Sequence, residues 1–308
     1  MNGKTAVYLY PYEKTRYAYQ KLYICRSCGQ FSVLRDETCA GCGKSKLTPI
    51  EQRAGFLVKR TMWMEHIIGL LILLFAVVFS PNEEWIALSA AGGLLLLLLL
   101  LASQRKSVTA KKRKMLIKLI ERDPALLRGG LIQDREDAIA VFHDGDKPLA
   151  YEMLREIGML MQTDQLRIEQ ILLLQSFILR KDMDLMLQPL LMRRFDPDLV
   201  AYIGELAKIR RDLLKESAFR YVLVFETQIL EMAGGAQILT NVAGAAVRKK
   251  RYITLYPHLV MRYARKLPRD RFLRLYDVIR LYPQQDFGEL ADEVYTIYNE
   301  RYRNQGSY

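Results

Sequence analysis

Two apolar runs joined by a short acidic turn, together spanning Met62 to Ala102, constrain this chain more than any other feature. The first, His66–Phe79, reads IIGLLILLFAVV at its centre, and the second, Trp85–Ala102, contains eight consecutive leucines, Leu94–Leu101. Between them lie Ser80, Pro81, Asn82, Glu83 and Glu84. No acid, lysine or arginine interrupts either run. With its flanks each reaches about 18 residues, near the lower limit for crossing roughly 30 Å of hydrocarbon. The pattern predicts a transmembrane helical hairpin over 62–102, with spans at about 62–79 and 85–102.

Composition agrees once it is resolved along the chain. Hydrophobic content of 51% beside 26% charge is unusual for one globular body, and much of the apolar excess lies in this hairpin. The net charge of +12 is also uneven: residues 1–61 carry eleven Lys/Arg against four Asp/Glu, and residues 107–308 carry 33 against 27. A basic balance suits anionic lipid or nucleic acid, and on a membrane chain the inner leaflet is the favoured partner. The first 60 residues hold no apolar core of signal-peptide length.

Orientation follows from the charges flanking the spans. Arg53, Lys59 and Arg60 precede the first, Arg105, Lys106 and Lys111–Lys114 follow the second, and the turn has only acids. Both termini are therefore expected in the cytoplasm. Trp63 and Trp85, the only tryptophans, stand at span entrances, where an indole is favoured. Neither span carries an ionisable or amide group at mid-depth, which argues against a transport path or proton relay. Glu65 and His66 lie close enough to the boundary to snorkel. Ser89 and Gly93, four apart, offer small residues for close packing within the hairpin or against a second copy.

All four cysteines fall within 25–42 as Cys25-Arg26-Ser27-Cys28-Gly29 and Cys39-Ala40-Gly41-Cys42-Gly43, ten residues apart. Such clustering argues for metal rather than a disulfide framework. Each CxxCG is a tight turn that aims two thiolates at one point, and the glycine after it permits the left-handed backbone that turns amides toward sulfur. Four thiolates from two turns make a closed tetrahedral structural zinc site, one ion per chain. The motif resembles the zinc-ribbon family over residues 21–47, and Cys25, Cys28, Cys39 and Cys42 match its four ligand positions. Iron of the rubredoxin type is less suited, because the spacing between pairs is short for that fold. A dithiol redox role is weaker still, since paired CxxC motifs close a metal site better than they poise a thiol.

Around this module, 1–47 reads as an N-terminal segment with the ribbon. Ala6–Tyr10 has strand-forming residues, and Phe31–Leu34 suits a hairpin strand within Gln30–Thr38. Six tyrosines, Tyr8, Tyr10, Tyr12, Tyr17, Tyr19 and Tyr23, are expected to supply the small core a ribbon lacks. Stacking on bases or headgroups is the alternative. Thr48, Pro49 and Glu51 read as a capping box opening a linker helix over 48–61, with room for a bend at Gly55.

Residues 103–122 form a basic juxtamembrane helix suited to anionic headgroups, and 123–308 an all-α cytosolic domain, bundle or solenoid-like. Apolar spacings of three and four predict helices at about 131–142, 148–161, 164–181, 183–194, 198–232, 236–249, 257–266, 269–282 and 286–302. Pro189 weakens the fourth, and a break is expected near 215–217. Asp196-Pro197-Asp198 carries good helix-start chemistry.

The run Arg248–Arg251 is read as cations favoured at a helix C-terminus, with phosphate contact the sharper alternative. Asp134, Glu136 and Asp137 read as a solvated acidic face. His66, His143 and His258 lie far apart with no HExxH or GxSxG, so no catalytic residue and no organic cofactor is expected. The function so implied is a membrane-anchored, cytosol-facing scaffold or regulator with an unidentified protein partner. Membrane-tethered nucleic-acid binding is the alternative, and an enzyme subunit the weakest reading.

Overall fold

A computed structural model describes residues 3–34, 38–80 and 82–302. Pro81 of the acidic turn and residues 35–37 of the expected ribbon hairpin lie outside the described residues. The chain forms two compact units, one of residues 14–140 and one of residues 1–13 with 141–308.

The first unit begins with one 3-10 turn, Ala18–Lys21, and a small antiparallel sheet of β1 (Tyr23–Cys25), β2 (Phe31–Ser32) and β3 (Leu47–Pro49), in the order β2-β1-β3. Ile24 pairs with Phe31 on one side and Thr48 on the other. Its core is Leu22, Ile24, Phe31, Val33, Leu34 and Ile50, all buried. The tyrosines do not supply it: Tyr8 and Tyr10 are 64% and 67% exposed, and Tyr17 and Tyr19 also face outward. Aliphatic residues and Phe31 fill so small a space without leaving a hydroxyl to satisfy.

β3 runs directly into α1 (Ile50–Val78). The expected capping box does not form. Thr48 donates to the Ile24 carbonyl at 3.3 Å, Glu51 accepts from the Tyr17 hydroxyl, and the Ile50 amide bonds Leu22 O at 2.9 Å. Sheet pairing has therefore taken the groups that a free helix start would use. α1 continues through Gly55 without interruption. α2 (Glu83–Arg122) unites the second apolar run and the basic juxtamembrane segment in one helix of 40 residues, about 60 Å long.

α1 and α2 pack antiparallel along their length. A Cβ on Gly93 would lie 2.1 Å from Leu73 Cδ1, and Ser89 meets Ser80 at 3.3 Å, so both small residues face the first helix of the same hairpin. At the ribbon-side end of the apolar runs, Gln104 donates to Glu65 at 2.7 Å and Lys111 pairs with it at 3.2 Å. Glu65 thus clasps the two helices together. Both helices are long and apolar enough to cross a membrane, and none of their apolar window is buried.

α3 (Pro124–His143) starts earlier than the apolar spacing suggested. Its residues 126, 130 and 134 lie four apart on one face and all meet the ribbon. Leu126 Cδ1 is 3.5 Å from where a Gly29 Cβ would stand, a Cβ on Gly130 would sit 1.9 Å from Phe31 O, and Asp134 Oδ2 accepts from the Val33 amide at 2.7 Å. Asp134 is 2% exposed, so it is not part of a solvated acidic face.

The second unit contains α4 (Lys147–Gly158), α5 (Asp164–Gln175), α6 (Pro197–Ile209), α7 (Glu216–Val224), α8 (Glu226–Glu231), α9 (Gly235–Ala246), α10 (Lys250–Leu255), α11 (Pro257–Tyr263), α12 (Arg269–Leu281) and α13 (Glu289–Arg301). Asp196 caps α6 through Leu199 N at 2.8 Å with Pro197 in the first turn, as its sequence predicts. Packing runs from α4 to α5 to α6, from α6 to α9, and from α9 through α11 to α13 and α12.

Three expected helices differ. The segment 164–181 stops at Gln175, where Ser176 O and the Ile178 amide pair with Thr5. Residues 183–194 hold only a 3-10 turn at Gln188–Leu190. Instead of helical amides, side chains satisfy the carbonyls there: Arg210 bonds Met183 O at 2.8 Å and Tyr202 bonds Met186 O at 2.9 Å. The segment 198–232 breaks between Ile209 and Glu216, near the break expected at 215–217, and once more at Phe225, which was not expected, giving α6, α7 and α8. The basic run is split: Arg248 and Lys249 close the C-terminal end of α9, their amides bonding Ala245 O and Ala246 O at 3.2 Å, while Lys250 and Arg251 open α10. Arg251 instead pairs with Glu216 at 3.0 Å, and Lys250 lies 3.8 Å from the Tyr282 ring centroid.

Residues 4–12 form a strap on this unit rather than a strand. Beyond the single bridge of Thr5 to Phe177, Tyr10 and Tyr12 donate their amides to Glu152 and Asp184 at 2.6 and 2.7 Å, and Arg155 bonds Tyr10 O at 2.8 Å.

Candidate metal centre

Each cysteine pair is set by the same local fold. In the first, the Cys25 amide bonds Gln30 O at 2.8 Å and the Gly29 amide bonds Cys25 O at 3.0 Å. In the second, the Cys39 amide bonds Lys44 O at 3.1 Å and the Gly43 amide bonds Cys39 O at 2.7 Å. Gly29 and Gly43 both lie in the left-handed region, at φ 79° and 67°, as expected for the residue after each second cysteine. Gly41 matters for a different reason. A Cβ there would stand 1.5 Å from Gln30 Oε1, so a side chain at 41 would make the Gln30 amide swing aside.

These turns bring Cys25, Cys28, Cys39 and Cys42 together with all four sulfurs within 4.8 Å. Cys25 and Cys42 are 3.7 Å apart, and Cys28 and Cys39 3.6 Å. A tetrahedral ion with Zn–S bonds of ~2.3 Å separates its sulfurs by ~3.8 Å, so the spacing fits. All four cysteines are free of disulfides. Among the described residues, this is the one group of His, Cys, Asp and Glu side chains placed to hold a metal.

Cys25 and Cys39 are 2% exposed, whereas Cys28 faces solvent and Cys42 is half-buried, so an ion enters from one side. Burial works against ionising Cys25, but the amides of Cys28 and Ser27 outweigh it and bring the thiol down to about 6. Burial pushes Cys28 up to about 12 and raises Cys39 as well. A cation binding here must displace the protons that burial favours on Cys28 and Cys39. Four sulfur ligands complete a tetrahedral shell and leave no position for a substrate, so the chemistry supported is structural.

His66, His143 and His258 lie in α1, α3 and α11, and none joins the cysteine group. Comparison with protein-family models, with curated proteins and with solved structures gives no match.

Proposed function

We propose that this chain is a membrane-anchored scaffold or regulatory protein facing the cytosol, which holds a structural zinc ribbon and a helical protein-binding unit at the bilayer. The observation that carries the reading is the uncovered apolar belt of α1 and α2. Ile72, Leu74, Phe79 and Leu96 are each at least 60% exposed. In water each such side chain forgoes about 1.5–3 kcal/mol of burial, and a belt this continuous marks contact with lipid or another apolar phase. The basic residues flanking both helices and the acidic Glu83 and Glu84 support a cytoplasmic location for both termini.

The ribbon is joined rigidly to this anchor, since β3 enters α1 without a loop and α1 reaches Met62 after about 18 Å. A ribbon fixed at that height and a helical surface beside the membrane are recognition elements rather than a reaction centre. Reporter fusions at both termini are expected to be active on the cytosolic side, and a fusion between Ser80 and Glu83 on the other. An exported-side signal from the C-terminus overturns the topology. Crosslinking in intact membranes should capture a recurrent protein partner, and recovery of lipid contacts alone would sink the scaffold reading.

A further inference from the structure

Arginines gather where α9 ends, and two of them lack a counter-charge. Arg271 of α12 lies directly against α9: a Cβ on the buried Gly244 would stand 2.5 Å from its Nη1 and 2.8 Å from its Cδ. That Nη1 is buried with no hydrogen-bond partner. Burial, and then the like charge of Arg211, hold the Arg271 guanidinium below the usual arginine range, yet it stays protonated at neutral pH. Arg211 opens the 3-10 turn Arg211–Leu213 that follows α6, and both arginines are half-buried. Among the described residues neither has a carboxylate within ion-pair distance. Asp212, beside Arg211 in the chain, is held by Arg210 through two bonds of 3.1 Å. Asp270, beside Arg271, is exposed and leaves α12 about 100° around the helix. The carbonyls ending α9 would repel an anion if bare, but they are taken. The Arg248 and Lys249 amides bond Ala245 O and Ala246 O at 3.2 Å, and Arg274, one turn along α12 from Arg271, bonds Arg248 O at 2.9 Å.

A buried donor without an acceptor is costly, and two cations whose charges bear on each other with no anion add to that cost. A carboxylate brings a single charge, whereas a phosphate monoester brings nearly two with three acceptor oxygens, and guanidinium forks match those oxygens. We propose that Arg211 and Arg271 form an anion site that takes a phosphate monoester, with the exposed Arg248 and Arg274 at its rim. One phosphate oxygen accepts from Arg271 Nη1, and the others meet the Arg211 guanidinium. The site lies wholly within the unit of residues 1–13 and 141–308, so it does not depend on the membrane anchor.

The test is calorimetric titration of the full chain in mild detergent with O-phosphoserine and with inorganic phosphate, and with serine as the control. Phosphoserine should bind at about one per chain and weaken as pH falls through about 6, where the ester takes up a proton. Arg271→Gln and Arg211→Gln should each weaken binding roughly tenfold. Arg271→Lys should weaken it as well, because an ammonium keeps the charge but loses the fork. Arg193→Gln removes an exposed cation of the same unit and should change nothing, since the ~20 Å of α6 separate it from Arg211. Thermal melting without ligand checks the fold of each variant. Should Arg271→Gln melt lower than the wild type, Arg211→Gln decides alone. Tighter binding of phosphoserine than of inorganic phosphate assigns the site to an ester on a larger molecule, and equal binding to a soluble phosphate. Absence of binding by both probes, or binding that persists in both Gln variants, overturns the proposal. So does phosphoserine binding no stronger above about pH 7 than below about pH 5.

Discussion

Cys25→Ser combined with Cys39→Ser is expected to lower bound zinc from about one ion per chain to near zero and to unfold the ribbon. The sheet consists of strands of three, two and three residues, too little to stand without a staple. Binding of a structural zinc contributes about 10–16 kcal/mol in modules of this kind, and that energy is folding energy. Losing it should expose Arg26 and Lys44, both in or beside the cysteine turns, to rapid tryptic cleavage. The helical unit of residues 1–13 and 141–308 should stay resistant, because its strap and core do not involve the metal. Metal analysis reads the first effect and timed proteolysis of the full chain the second. Unchanged zinc in the double variant sinks the site, and a visible iron–thiolate absorption in the wild type would replace zinc with iron.

What could be read in advance was local in sequence. The four cysteines and the left-handed Gly29 and Gly43 follow from spacing within one turn, and the Asp196 cap of α6 from three adjacent residues. The two apolar helices are legible because hydrophobic length needs no partner to be recognised. Gly93 and Ser89 were readable as packing residues, although the neighbour they meet, Leu73 or Ser80, is visible only in the fold.

Several of the misreadings share a different property: they depend on a partner far along the chain. Thr48 carries a capping signature, yet its hydroxyl bonds Ile24. The helix expected to 181 stops because Thr5 claims the backbone around Phe177. Helical spacing persists through 183–194, but Arg210 and Tyr202 from a later segment satisfy its carbonyls. Tertiary hydrogen bonds of this kind override propensity without leaving a periodic trace. Asp134 is the sharpest case: its charge and its acidic neighbours suggest solvent, while its partner Val33 is 101 residues upstream.

That contact yields a second large effect, at the glycine one turn before it. Gly130→Ala is expected to pry the ribbon from α3, because the new Cβ would meet the Phe31 carbonyl oxygen at 1.9 Å and backbone cannot swing aside. Overpacking of this kind costs about 1–3 kcal/mol, or roughly 5- to 150-fold in the docked population. Asp134→Leu should act in the same direction, since it strips the buried Val33 amide of its acceptor at a cost of about 1–3 kcal/mol. Gly129→Ala is the discriminating control. Nothing lies within 4 Å of its Cβ position, so alanine should be neutral or stabilise α3 by up to ~1 kcal/mol through helix propensity. Amide hydrogen exchange at Phe31–Val33 in the full chain reads all three. Protection should fall for Gly130→Ala and Asp134→Leu with zinc content unchanged, since the cysteine turns hold their ion without α3. Equal protection in Gly129→Ala and Gly130→Ala would show that the ribbon does not rest on this helix.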